Sequence, residues 1–425
     1  MGAALNKKLT EIARDYQVVI AGEEPGELLD ELINALKSLG KVVLIIDEYD
    51  KPIVDALHNL ALTDAFRLFF KSFYQSLKAN GEHLEFLFIT GISQFAKMSI
   101  FSELNHLFNL SNTEMSATLC GYTQHELEDV FGKHLQHVAT KLGCSYQDIL
   151  TTTKLWYNGY YFTAPEPNIQ RVYNPFSIIN FCKDGKYNNY WFASGTPSFV
   201  IEFFKRHQFV VPDFEQVSAS LERLQSFQPE KPDLTTMLYQ TGYLTIQGYR
   251  GDANTYTLGF PNYEVANACS GQLFNYLTKQ PIDLLQNATA DLRIALMQHN
   301  LDNIKPSLAQ IFAHIPYTIK PANENGYQMI FYLVLRMLGL NTVVEEPTSI
   351  GRIDAVVRTP QRIFIVEFKI RGSAKDALEQ IKDRRYPEKY VGEGLPITLV
   401  GILFDPATKV RTVTDVLWEE HEATC

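Results

Sequence analysis

The chain has 425 residues, 46% of them hydrophobic and 20% charged, a balance that buries real cores and excludes wholesale disorder; at roughly 150 residues per domain it predicts two or three domains. No apolar run approaches the roughly 20 residues of a membrane span, which excludes an integral membrane protein. The net charge of −10 excludes a strongly basic, histone-like binder but not a local nucleic-acid site, because only local charge matters there.

Residues 1 to about 120 read as alternating helix and strand. Leu28, Leu29, Leu32, Ile33, Leu36 and Leu39 have helical spacing over Glu27–Leu39, with Gly40 as the stop. Val42–Ile46 is a continuous apolar run suited to a strand buried on both faces of a parallel sheet. Leu60–Leu77 reads as helix and Leu84–Thr90 as a second buried strand, so strand, helix and strand predict an α/β layer. Residues 121 to about 320 read as a mostly helical middle region. Thr123-Gln-His-Glu126 is a capping box, Asn158-Gly159 a turn signal, and Asn174-Pro175 a helix start. The aromatics Trp156, Tyr157, Tyr160, Tyr161 and Phe162 suit base stacking in principle, but core is the favoured reading. The five cysteines, Cys120, Cys144, Cys182, Cys269 and Cys425, form no CxxC pair or zinc-spaced cluster, and the N-terminus has no secretory apolar core. A reducing compartment, and so the cytoplasm, is the expected location.

Residues 321–425 read as a compact unit of order α-β-β-β-α-β: a helix over Tyr327–Leu338, strands at Thr342–Glu345, Arg352–Arg358 and Ile363–Ile370, a polar helix over Ser373–Tyr386, and a strand at Ile397–Phe404. Val410–Trp418 offers one strand more. Three charged residues interrupt these apolar strands. Asp354 lies in Ile353-Asp-Ala-Val-Val, and Glu367 and Lys369 lie in Ile363-Phe-Ile-Val-Glu-Phe-Lys-Ile. Strand residues two apart share a face, so Glu367 and Lys369 project together. Burying such charges is costly unless they pair or bind a metal. Two carboxylates on neighbouring strands suit Mg²⁺ or Mn²⁺, and a lysine beside them suits a phosphate and its attacking water. The bland alternative is a surface ion pair on an edge strand.

Asp354 followed by Glu367-Phe-Lys369 resembles the D…ExK core of PD-(D/E)XK nucleases. The longer string Glu324-Asn-Gly-Tyr-Gln, Gly351-Arg-Ile-Asp, Ile365-Val-Glu-Phe-Lys and Ala377-Leu-Glu-Gln-Ile-Lys…Tyr386-Pro-Glu-Lys-Tyr390 is similar to the PD-(D/E)XK domain that follows an AAA-ATPase-like domain in a bacterial family. The resemblance implies metal ligation by Asp354 and Glu367, catalysis by these two with Lys369, and supporting roles for Gln380 and Glu324. It also implies a nucleic-acid substrate, DNA ahead of RNA, and Mg²⁺ or Mn²⁺ as cofactor. Residues 321–390 carry 11 basic against 9 acidic side chains, and Arg371, Lys375, Lys382, Arg384, Arg385 and Lys389 are candidates for phosphates or for a plainly solvated helix face.

The strand Val42–Ile46 runs into Asp47-Glu48, the Walker B pattern, in which the Asp holds Mg²⁺ and the Glu activates water. Thr90 ends the neighbouring strand in the sensor position. Asp47-Glu-Tyr-Asp-Lys-Pro52, Phe88-Ile-Thr-Gly-Ile-Ser93, Leu119-Cys-Gly-Tyr-Thr123, Trp156-Tyr-Asn-Gly-Tyr160 and Tyr173-Asn-Pro-Phe-Ser177 resemble successive motifs of the AAA-ATPase-like part of that family. The sequence contains no G-x-x-x-x-G-K-[ST] loop to cradle phosphates, as in a version lacking its front end. Asp47, Glu48 and Thr90 therefore read as a relict nucleotide site that is expected not to bind ATP tightly. The overall expectation is an incomplete AAA-like parallel-sheet part (1–120), a mostly helical middle (121–320) and a C-terminal restriction-endonuclease-like α/β domain (321–425) acting as a metal-dependent nuclease. A protein partner or self-association is expected through the AAA-like part. The alternative is a non-enzymatic binding module in which both sites are relics.

Overall fold

The computed structural model describes residues 2–56, 59–92, 107–194, 217–226, 233–278, 286–314, 324–348, 350–404 and 413–421. They form two compact units, one of Met1–Leu119, Tyr161–Gln170 and Ser218–Leu258, the other of Cys120–Tyr160, Arg171–Val217 and Gly259–Cys425. No helix among the described residues is long and apolar enough to cross a membrane.

In the first unit, the helix predicted over Glu27–Leu39 spans Pro25–Leu36. Pro25 supplies a preset first turn and the Glu24/Glu27 capping box satisfies its amides. The chain leaves it at Lys37 in a right-handed conformation, so Gly40, at φ 143°, belongs to the approach to the next strand and is not the helix stop. Strands Val42–Ile46 and Leu84–Ile89 pair in parallel, as expected, with Ile46 opposite Ile89. The expectation of burial on both faces fails. Among the described residues these two strands make up the whole sheet, and Val43, Ile45 and Phe86 are 56%, 65% and 52% exposed. Alternate strand residues face opposite ways, so the apolar run covers one face and, among the described residues, leaves the other exposed. Helix Leu60–Ala79 is tied to Pro25–Leu36 through Asn80, which donates to Asp30 at 2.6 Å and accepts from Asn34 at 3.1 Å. A three-stranded sheet of Val217–Ser220, Thr255–Gly259 and Thr245–Arg250 interrupts the mostly helical middle region. The polar break read at Arg250–Asn254 is the turn of its hairpin, and Gly248 weakens the strand alternation that would have marked it.

In the second unit the Thr123/Glu126 capping box opens helix Gln124–Leu142, and Asn174 caps Pro175–Asp184 through the Ser177 amide. Asn158-Gly159 is not a turn. It sits in the short strand Asn158–Tyr160, paired antiparallel with Val172–Tyr173. Gly159, at φ 137°, lies so close to the main chain of Pro261 that a Cβ would stand 1.7 Å from its carbonyl oxygen, so the glycine serves backbone approach. Tyr157 and Tyr160 are buried among these helices, as the core reading expected.

The C-terminal sheet has five strands in the order Val413–His421, Ile397–Phe404, Arg362–Lys369, Arg352–Thr359, Asn341–Pro347. The central pair is parallel and its flanking pairs antiparallel. Helices cover both faces. Phe331 of helix Glu324–Met337 meets Phe368 and Phe404 on one side. Leu378 and Ile381 of helix Ala374–Asp383 meet Ile363, Ile365 and Leu399 on the other. The unit is α/β in the expected element order, with Val413–His421 as the additional strand.

Candidate active site

Strand parity places the charged residues. Ile363 and Ile365 face helix Ala374–Asp383, so Glu367 and Lys369, continuing the same alternation, face it too. The antiparallel register runs from Arg362↔Thr359 to Val366↔Ala355, and the next pair in that register is Glu367 and Asp354. Directly opposed residues share a sheet face. The two carboxylates therefore lie together. Each also bonds the other's strand: Asp354 accepts from the Phe368 amide at 2.9 Å, and Glu367 accepts from the Asp354 amide at 3.5 Å. Lys369 Nζ stands 3.9 Å from Glu367 Oε1. Gln380 closes the group from the helix, its amide donating to Glu367 and its carbonyl accepting from Lys369.

The helix reaches this close because Gly401, the parallel partner of Glu367, has no side chain. A Cβ there would stand 2.2 Å from the Ala374 carbonyl oxygen. Beyond the helix, Arg384 Nη1 donates to the Ile350 carbonyl at 3.1 Å and the Tyr386 hydroxyl to the Arg352 carbonyl at 2.6 Å. These bonds fix the chain leading into Asp354.

Glu367 is 3% exposed. Burial, and then the charge of Asp354, push its carboxyl up to about 8, against the opposing pull of Lys369 and Arg384. A buried Glu367 beside a half-buried Asp354 is the kind of paired-carboxylate donor set that a hard divalent cation offsets. Among the described residues no third His, Cys, Asp or Glu joins it. Two carboxylates suit a Mg²⁺-type ion that keeps water and phosphate oxygens as its other ligands. The residues thus fit such an ion. Glu324 begins helix Glu324–Met337, but its side chain lies outside the described residues.

Of the candidate phosphate contacts, four engage acids: Lys375 with Glu379, Lys382 with Glu419, Arg385 with Glu388 and Lys389 with Glu346. For these the solvated-face reading holds.

In the first unit, Thr90 bonds the Asp47 carboxylate and also accepts from the Glu48 amide at 3.4 Å. Glu48 itself adopts a left-handed φ of 51°. The structure thus brings Asp47 and Thr90 together across the two strands. Sequence reading missed Asp50, which is fully buried and accepts from the Ile92 amide at 3.1 Å. Gly91 makes room for that contact, since a Cβ would fall 2.5 Å from the Tyr49 ring. The buried Glu264 was also missed. It accepts from Ser177 Oγ and the Trp191 amide, each at 2.7 Å, and burial raises its carboxyl from the ordinary 4.5 to about 7. Nothing local marked it, because Glu264 stands far in sequence from Ser177 and Trp191.

Comparison with known proteins adds to this geometry. Residues 1–101 match the family described as predicted AAA-ATPase, and residues 322–414 match the PD-(D/E)XK nuclease superfamily. An uncharacterised protein encoded in the vnfD 5′ region of Azotobacter chroococcum mcd 1 is 32% identical over 385 residues, covering 88% of this chain and 72% of that protein. No solved structure matches.

Proposed function

We propose that this chain, which belongs to the family of the Azotobacter vnfD-region protein and joins a predicted AAA-ATPase region to a PD-(D/E)XK nuclease superfamily domain, is a Mg²⁺- or Mn²⁺-dependent nuclease. The observation that carries this reading is the convergence of Asp354, Lys369 and Gln380 on the buried Glu367. Asp354 and Glu367 would hold the ion, with DNA as the first substrate to try. When bound, such an ion polarises a water and offsets charge growing on the scissile phosphate.

The chain's own residues supply the rest. Lys369 lies beside Glu367 and orients the attacking water while adding positive charge near the phosphate. Gln380 bridges Lys369 and Glu367, so it holds both in register before substrate arrives. Glu367 gives up its proton to take a metal, which makes metal capture favour higher pH. Asp47, Glu48 and Thr90 are read as part of a nucleotide site whose G-x-x-x-x-G-K-[ST] loop is not among these 425 residues, and the AAA-like part is read as a surface for a protein partner or self-association. A cytoplasmic setting goes with the scattered thiols.

The test is cleavage of single- and double-stranded DNA and RNA with Mg²⁺, Mn²⁺ or chelator. Metal-dependent cutting that Asp354→Ala abolishes supports the reading. A parent that cuts nothing with either metal overturns it in favour of a binding module.

A further inference from the structure

Arg384 differs from its basic neighbours. Lys375, Lys382, Arg385 and Lys389 each engage a carboxylate, whereas the contact of Arg384 is the Ile350 carbonyl at 3.1 Å, and among the described residues no carboxylate pairs with it. The residue is exposed, while Glu367 beside it is buried. Its charge is near enough to favour the ionised form of Glu367. Room for the guanidinium comes from Gly351, where a Cβ would stand 2.2 Å from Nη1. Two residues on, Tyr386 grips the Arg352 carbonyl, so Arg384 is anchored against the segment that delivers Asp354. A guanidinium carries five N–H donors in one plane, matched to phosphate oxygens, and the bond to the Ile350 carbonyl engages one of them.

We propose that Arg384 contacts the substrate, its guanidinium taking a non-bridging phosphate oxygen of a nucleic-acid strand at the mouth of the Asp354/Glu367 site. This rests on the nuclease reading and adds to it a named phosphate-binding residue. The carbonyl bond to Ile350 parks the side chain when no strand is present. The arriving phosphate replaces that neutral acceptor with a charged one, a stronger partner.

The test uses the full chain and labelled DNA oligonucleotides, with Ca²⁺ in place of Mg²⁺ to hold cutting back, alongside calorimetric Mn²⁺ binding without DNA. R384Q keeps a donor for Ile350 but removes the charge, and R384K keeps the charge. R384Q is expected to weaken oligonucleotide binding roughly 10- to 100-fold, the worth of a charged hydrogen bond, with the melting temperature unchanged and Mn²⁺ affinity changed by no more than about threefold through Glu367. R384K is expected to restore most of the binding, and the control K375A to bind as the parent does. Unchanged DNA binding in R384Q overturns the proposal alone. So does a parallel loss of Mn²⁺ affinity, which makes Arg384 a brace for the Asp354 strand. A parent that binds Mn²⁺ but no oligonucleotide sinks the nuclease reading and this inference with it.

Discussion

Two apolar strands in this chain meet acidic residues, and they end in opposite circumstances. Val42–Ile46 leads to Asp47 and Glu48 in a two-stranded sheet with one face bare. Arg362–Lys369 carries Glu367 at the centre of a five-stranded sheet, with helices on both faces. In the first, Asp47 meets a threonine at an exposed strand end. In the second, burial raises Glu367 and an amide and an ammonium crowd one of its oxygens. The difference is one of cover: where helices close over the sheet, desolvation becomes the largest cause of the raised Glu367 carboxyl.

The sharpest way to break this contrast is substitution at both strand ends. Asp354→Ala, Glu367→Ala and Lys369→Ala are each expected to lower cleavage by on the order of 10²-fold or more. A double variant should be little worse than a single one, since the group acts as a unit. Asp47→Ala is expected to leave the cleavage rate within twofold, and a comparable loss there would join the two sites functionally. Packing separates the regions next. Phe368→Ala removes a buried ring packed edge-to-face against Phe331 and Phe404 and is expected to cost about 3–5 kcal/mol by denaturant titration. Ile45→Thr, on the bare face, is expected to stay within about 0.5 kcal/mol.

Protonation sharpens the comparison further. The fold holds a proton on Glu264 more tightly than the unfolded chain does, its carboxyl being raised from 4.5 to about 7. Between those values the folded state binds more protons, so stability falls as pH rises from about 4.5 to about 7 and levels off above. The full effect is on the order of 3 kcal/mol. Glu264→Gln is expected to flatten that slope in melting temperatures taken across pH, and an unchanged slope would assign it to other groups. The smallest expected effect is at Asp47, Glu48 and Thr90. Calorimetry with Mg²⁺-ATP is expected to give no measurable heat, and tight binding would reveal a phosphate site of another kind.

The C-terminal site was legible because its signals are local. Strand parity placed Glu367 and Lys369 on one face, and hairpin register placed Asp354 against them. Gln380 was marked only by the resemblance of Ala377-Leu-Glu-Gln-Ile-Lys to the PD-(D/E)XK string, and the structure shows Leu378 and Ile381 seating its helix on the sheet. The N-terminal strand misled because an apolar run reports what a segment prefers to cover, not what is there to cover it. Glu264 escaped because its partners Ser177 and Trp191 come from distant segments. Gly159 escaped for a related reason: a close approach to Pro261 and a tight turn both ask for glycine.

The hairpin that brings Asp354 and Glu367 together also sets the order in which the site is made. Its strands are joined by the two residues Pro360 and Gln361, and such hairpins close within about 1–10 μs. The parallel partner Ile397–Phe404 pairs only after the chain has passed through the Gln380 helix, a longer and slower closure. The two acids are therefore expected to meet while still hydrated, with Glu367 buried afterwards. A Mn²⁺ ion captured at that first stage is expected to speed the folding limb in stopped-flow refolding, whereas one captured only after the helix docks slows unfolding alone.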